Sequence, residues 1–206
     1  ALLPDLSLLK NAVKGYFVFY KPRDIVSGDF YWAKQIQDQL IVVAADCTGH
    51  GVPGAFMSLL GISFLTEMLM GHQVPDPVEI LEKLRQMIKD SLKQDDSHKT
   101  SKDGIDLALC IINTRTLELQ FAGANMPMYI VRNGKLSIYK GINNPIGIHL
   151  KEKPFENTSI QLIPNDCIYL FSDGFVDQFG GKKNEKFKPT HFRDALLADS
   201  QTDMKT

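Results

Sequence analysis

LIVVAADCTGHGVPGAFMSLLG (Leu40–Gly61) opens as a buried strand, stops on an acid and turns at once into glycine. Leu40 to Ala45 is an apolar run of strand length, and Asp46 ends it. Cys47-Thr48-Gly49-His50-Gly51 are small and turn-forming, and Pro53 opens a helix that reads through Met70. A run this apolar belongs inside a sheet. The fold must therefore carry a carboxylate from the core to a bend at its edge.

The segment before this run pairs with it. DFYWAKQIQ and LIVVAAD are two strand-like runs joined by a short polar turn around Gln37-Asp38-Gln39, which is a hairpin. If the turn is centred between Gln37 and Asp38, paired residues sum to 75 and Asp29 faces Asp46. Directly opposed side chains have Cβ atoms about 4.5–5.5 Å apart, and like charges there are destabilising. Either one acid keeps its proton, or a divalent cation lies between the two, and magnesium and manganese prefer such oxygen ligands. A third acid arrives in the same style, because CIYLFSDG also ends an apolar strand on Asp173 and a glycine. Acids before glycines also serve as turn residues. Three of them, two matched across a hairpin, point to a site.

Around this centre the chain reads as alternating strands and two long helices. GYFVFYKP (15–22) alternates aromatic and β-branched residues and is predicted as a strand. Asp76 is placed as N-cap with Pro77 at the first helical position and Glu79 two residues further on. Val78, Leu81, Leu84, Ile88 and Leu92 then form one apolar face. Gln94 to Gly104 is a polar loop and Ile105 to Asn113 a strand. Asn133-Gly134 joins two alternating runs as a hairpin. TSIQLI and DCIYLFSDG add two strands. About eight strands around two central helices predict an α+β fold with two packed sheets and helices outside.

Composition excludes several functions. With 23 basic and 24 acidic residues the net charge is −1, so nucleic acid and anionic membranes find no basic footprint. The three cysteines, Cys47, Cys110 and Cys167, form neither a C-x-x-C nor a pairing framework, which points to a reducing, cytoplasmic setting. No apolar run approaches a membrane span and no signal peptide opens the chain. Gly49 and Gly54 have the spacing of a phosphate loop, but Ala55 and Phe56 stand where lysine and serine or threonine belong. A cysteine phosphatase needs arginine six residues after its cysteine, where Pro53, Thr116 and Asp173 lie. Cys47 reads as a small, partly buried residue rather than a nucleophile.

KPRDIVSGDFYW, ADCTGHGVPGAFMS, AGANMP, NNPIGI and FSDGFVDQ, in that order, resemble the SpoIIE-like branch of the metal-dependent (PPM, type 2C) serine/threonine protein phosphatases. The resemblance spans about Leu3 to Gln178. It implies an αββα sandwich with two Mn²⁺ or Mg²⁺ ions in a cleft. By that resemblance Asp29 holds one ion, Asp46 bridges both, the Cys47 carbonyl completes the Asp29 side and Asp173 holds the other. It also implies an activated water that attacks phosphorus in line. A further strand and acidic ligand after the SDG block have no counterpart before Thr206, Asp199 and Asp203 standing in a polar tail. The C-terminal part is therefore expected to be missing, with residues 1–13 the end of a linker helix and 14–206 the phosphatase domain. The expected substrate is a phosphorylated bacterial regulator of the anti-sigma-antagonist type, and the expected partners are an upstream sensor domain and, through the GAFMSLLGISFL helix, a second copy. A non-catalytic signalling module with an incomplete metal site is the alternative.

Other candidates keep two readings. His50 either protonates the leaving group or shapes the loop. Arg23 either binds phosphate or pairs with Asp24. Asp106, on an apolar strand, is expected to hydrogen-bond backbone, an extra metal being its alternative. Tyr31 and Trp32 are core or groove wall, and Phe56, Met57, Leu59, Leu60 and Phe64 place their helix under the site or at a dimer contact.

Overall fold

The structure is a computed structural model that describes residues 3–94, 103–181 and 184–200. A short 3-10 turn (Leu6–Leu8) runs into helix α1 (Leu9–Ala12). Strands β1 (Phe30–Ile36) and β2 (Gln39–Cys47) form the first hairpin. Helices α2 (Gly51–Met68) and α3 (Pro77–Ser91) follow, then β3 (Gly104–Asn113), β4 (Glu118–Ala124), β5 (Met128–Arg132) and β6 (Lys135–Tyr139). Two-residue β7 (Ile146–Gly147), β8 (Thr158–Gln161) and β9 (Cys167–Leu170) precede a small hairpin, β10 (Phe179–Gly180) and β11 (Glu185–Lys186), and helix α4 (Lys188–Asp199).

One sheet has the order β1-β2-β3-β4-β8, with β7 on the end of β3; a second has the order β6-β5-β9, and all its pairs and those of the first are antiparallel. The period-2 alternation of β2 and β3 decides the layering. Ile41, Val43, Ile105, Leu107 and Leu109 face α2 and α3, where they meet Leu65, Leu81, Leu84 and Ile88. Leu40, Ala108 and Cys110 point the other way and meet Met128 and Ile130 of the second sheet. On that sheet's outer face Tyr129, Val131 and Tyr169 pack against Phe192 and Leu196 of α4. The result is the expected αββα sandwich. Each fully buried leucine in it contributes about 1.5–3 kcal/mol.

The local signals act as expected at several points. The first hairpin keeps the predicted register, from Ile36↔Gln39 to Phe30↔Ala45. The Asp76 carboxylate caps α3, accepting from the Val78 and Glu79 amides at 2.8 and 3.0 Å. Asn133 and Gly134 have φ of 51° and 71°, the paired positive values of a primed hairpin turn.

Four expectations need correction. Residues 15–22 join no β-ladder, because their aromatic residues anchor individually to different layers. The helix α2 opens at Gly51 and ends at Met68, two residues earlier at each end than read. Its 18 residues are apolar enough by composition to cross a membrane, against the expectation that no run reaches that length, although Met57, Gly61 and Leu65 are buried. The tail containing Asp199 is helical, α4 ending on that residue; Asp203 lies outside the described residues, as does most of the polar loop between Gln94 and Gly104. Strand β4 was unforeseen. Leu6, Leu9 and Val13 all pack in the layer between the sheets.

Candidate active site

Three acids of the first sheet share one face. Because Phe30, Ala45, Cys47 and Ile105 face the helices, their neighbours Asp29, Asp46 and Asp106 fall on the side of the second sheet. Asp29 lies one position beyond the last β1 pair, where continued register places it opposite Asp46. On its other side Asp46 is paired directly with Asp106 of β3. Asp173 follows β9 and comes from the second sheet. The acids thus meet at one rim of the layer between the sheets.

Their electrostatics follow from this crowding. Burial, then the charge and hydrogen-bonding contact of Asp29, and then Asp173 and Asp106, raise the Asp46 carboxyl to about 8. Asp173 is raised by burial and by Asp177 and Asp29, while its contact with Asp46 opposes the rise. Burial also raises Asp106, against a hydrogen bond from the Asn125 amide at 2.7 Å. The expected backbone partner of Asp106 is therefore replaced by the Asn125 side chain. In the absence of a cation, Asp46 is the carboxyl that keeps a proton and offers it to its neighbours.

The loops that deliver these acids are fixed by close backbone approaches. A Cβ on Gly54 would stand 2.6 Å from the Gly49 carbonyl oxygen, and one on Gly28 would stand 3.0 Å from that oxygen and 3.1 Å from the Cys47 carbonyl oxygen. This explains the phosphate-loop-like spacing of Gly49 and Gly54: the glycines let the start of α2 lie against the turn that carries Asp29. Thr48 extends the β2–β3 pairing past the acids, its amide donating to the Gly104 carbonyl at 2.9 Å and its hydroxyl accepting from the Gly104 amide at 3.1 Å.

Asp29 is held on three sides. Its carboxylate accepts from the Ser172 hydroxyl at 2.6 Å, its amide donates to the Ser27 hydroxyl at 3.1 Å and its carbonyl accepts from the Tyr20 hydroxyl at 3.1 Å. Ser172 adjoins Asp173, so this bond ties the two sheets together beside the acids.

An open concavity of about 380 Å³ is lined by Asp46, Cys47, Thr48, Gly49, His50 and Asp106. Cys47 is buried, and burial with the neighbouring carboxylates pushes its thiol far up, which leaves it no role as a nucleophile at neutral pH. His50 is the N-cap position of α2, exposed, and 4.0 Å from Asp24. Asp24 therefore faces His50, and among the described residues Arg23 makes no ion pair. Trp32 is core, donating to the Thr66 hydroxyl at 3.2 Å, whereas Phe56 and Leu59 are exposed instead of lying under the site.

The donor set fits a hard divalent cation by its chemistry: carboxylates and a nearby backbone carbonyl, partly withdrawn from water, with no lysine or arginine among the charges that act on Asp46. The contacts come in pairs, Asp29 with Asp46 and Asp46 with Asp173. Among the described residues no group of three Asp, Glu, His or Cys side chains closes around one point. Asp106 and Ser172 are the residues sequence reasoning undervalued; the alternation of β3 already placed Asp106 on the Asp46 face.

Two antiparallel sheets packed between helices, with acids at one rim of the inner layer, form the architecture shared with PP2C domains. The chain belongs to the family of stage II sporulation protein E (SpoIIE), whose family model matches residues 36–205. The SiaA PP2C domain of Pseudomonas aeruginosa is 31% identical, with a TM-score of 0.83 over 98% of this chain and 78% of that one. The phosphatase domain of Bacillus subtilis SpoIIE, solved with a fragment of its regulatory domain, is 23% identical, with a TM-score of 0.64 over 89% of this chain and 48% of that one. RsbX in complex with magnesium shares the fold at 16% identity, with a TM-score of 0.59 over 89% of this chain and 85% of that one. No curated protein sequence matches the chain.

Proposed function

We propose that this chain is a divalent-metal-dependent protein serine/threonine phosphatase, acting on a phosphorylated bacterial regulator of the anti-sigma-antagonist type. The observation that carries the reading is the meeting of Asp29, Asp46 and Asp173 at one rim with no lysine or arginine among the charges that act on Asp46, inside a fold shared with PP2C domains. Asp29, Asp46, Asp173 and the Cys47 carbonyl would hold Mn²⁺ or Mg²⁺, two ions in a complete domain. The cations supply an activated water and neutralise charge on the phosphoryl group.

The chain's own residues have separate tasks. Asp46 gives up its proton to admit the cation, which couples loading to pH. Ser172 and Ser27 orient Asp29. His50, which lines the concavity, is read as proton donor to the leaving group, and the exposed Arg23 as a bidentate phosphate contact. Asp106, fixed by Asn125, adds negative charge beneath the concavity. Residues 1–13 are read as the end of a linker from a sensor and 14–206 as the phosphatase domain, acting in the cytoplasm, with a second copy as a further partner. The regulatory-domain fragment solved with the Bacillus SpoIIE phosphatase domain supports a connection to a regulatory domain.

A second reading, a non-catalytic signalling or dimerisation module, is favoured by one observation, the lack of any closed three-ligand group among the described residues. Calorimetric titration with Mn²⁺ and hydrolysis of a phosphoserine protein separate the two. The wild-type chain is expected to bind Mn²⁺ and hydrolyse the phosphoester, and Asp46→Asn to lose both with its circular dichroism unchanged. Unchanged Mn²⁺ affinity in the variant overturns the site.

A further inference from the structure

The segment that precedes Asp29 carries four aromatic residues, and three have separate anchors. Tyr16 packs in the layer between the sheets. Phe19 stands edge-on to Phe175 with ring centres 5.6 Å apart. Tyr20 stands edge-on to Tyr31 at 5.7 Å, and its hydroxyl donates to the Asp29 carbonyl at 3.1 Å. Phe175 lies two residues after Asp173 and packs on Phe187 and Phe192 at 5.3 Å each. Residues 15–22 therefore cross from the Asp29 end of the first sheet to the Asp173 end of the second. Their backbone joins no ladder, and Phe17, Val18 and Phe19 are 57%, 45% and 61% exposed, so among the described residues the crossing is held by side chains.

We propose that residues 15–22 form a strap that sets the separation of Asp29 from Asp173, with Tyr20 and Ser172 as positioning residues for Asp29. The inference rests on the metal-dependent reading above and deepens it by naming how the site is regulated. Tyr20 fixes the Asp29 backbone from the strap side. Ser172 fixes its carboxylate from the opposite sheet. The aromatic contact of Phe19 with Phe175 joins the strap to the loop that carries Asp173. Because binding effects are reciprocal, a strap that favours the cation-ready arrangement is itself tightened by the cation. An upstream domain pulling on α1, which leads directly into the strap, would then alter cation affinity without touching the acids.

The test uses Mn²⁺ alone as probe. Tyr20→Phe removes one hydroxyl and keeps the ring, and is expected to weaken Mn²⁺ binding about three- to tenfold, the worth of one hydrogen bond. Ser172→Ala is expected to weaken it about ten- to a hundredfold, and Ser172→Thr to restore it. Melting temperatures of both weakened variants stay near wild type without cation. Trypsin reads the strap at Lys14-Gly15 and Arg23-Asp24: saturating Mn²⁺ slows cleavage of both bonds in wild type and slows it less in Tyr20→Phe. Wild-type Mn²⁺ affinity in Tyr20→Phe and Ser172→Ala, or cleavage indifferent to Mn²⁺ in a wild-type chain that binds it, overturns the strap and leaves the phosphatase reading standing. A wild-type chain that takes up no Mn²⁺ overturns the phosphatase reading and the strap with it.

Discussion

Asp166 and Asp173 stand just outside opposite ends of the same short strand, β9, and meet opposite fates. The Asp166 side chain is almost wholly buried and accepts from Arg132 twice, at 2.8 and 2.6 Å, and from the Ile163 amide at 2.9 Å. Burial pushes its carboxyl up, but these bonds outweigh it and the net shift is downward. Asp173 is raised by burial and by Asp177 and Asp29, which outweigh its contact with Asp46 and the charge of Lys186, itself paired with Asp177 at 2.7 Å. One end of the sandwich resolves a buried charge with an internal partner. The other gathers acids and leaves their charge for something from outside to balance, which is how a binding rim differs from a structural one.

The largest expected effect breaks the satisfied end. Arg132→Met strands the Asp166 carboxylate and is expected to lower the midpoint of urea unfolding at neutral pH more than the changes below. If the loss is negligible, the two ends do not differ in the way described.

The crowded end responds to pH with the opposite sign. The Asp46 carboxyl is raised to about 8 in the folded chain, so the folded state holds that proton more tightly than the unfolded one. Its stabilising contribution is complete below about pH 4 and is lost as pH rises through about 8. The cation-free chain is expected to lose about 1–2 kcal/mol over that window, an amount discounted because water reaches the rim. Asp46→Asn reduces this slope, the raised Asp106 and Asp173 carboxyls keeping part of it, and saturating Mn²⁺ reduces it in the wild type. Asp166 behaves inversely: its contribution is present above the ordinary carboxylate range and is lost as pH falls through its depressed value. Thermal melts from about pH 3 to pH 9 read both arms.

The smallest effect sharpens the comparison at the side-chain amide that donates to Asp106. Asn125→Ala takes the hydrogen bond from Asp106 and is expected to cost about 0.5–1 kcal/mol in the cation-free chain. Adding Mn²⁺ is expected to shrink that cost. A cost unchanged by Mn²⁺ would mean that Asp106 does not belong electrostatically to the rim.

How far the site was legible depended on the length of chain separating its parts. The register of Asp29 against Asp46 was readable because a two-residue turn sets it and nothing intervenes. The Asp46–Asp106 pair required knowing that β3 lies beside β2, a choice made by the whole helical layer packing between them in sequence. Strand β4 was hidden because only its first half, Glu118 to Phe121, alternates; the remainder is buried and small on both faces. Helix α4 offered no single apolar stripe, since only Phe192 and Leu196 are buried in it. Residues 15–22 gave a true alternation with the wrong meaning: aromatic side chains that dock on separate layers produce the same pattern as a ladder.

The contact among Gly28, Gly49 and Gly54 also limits how this chain can change over generations. A methyl group on Gly54 has to displace the Gly49 oxygen, and one on Gly28 meets the Gly49 and Cys47 oxygens together. Neither Gly28 nor Gly54 can gain an atom without moving a turn that carries Asp29 or Asp46, whereas at Gly49 a side chain meets no clash and is disfavoured by its φ of 91°. Variation here is all or none: a heavier residue survives only alongside a compensating shift in the other loop, while the exposed outer positions of α2 are free to drift.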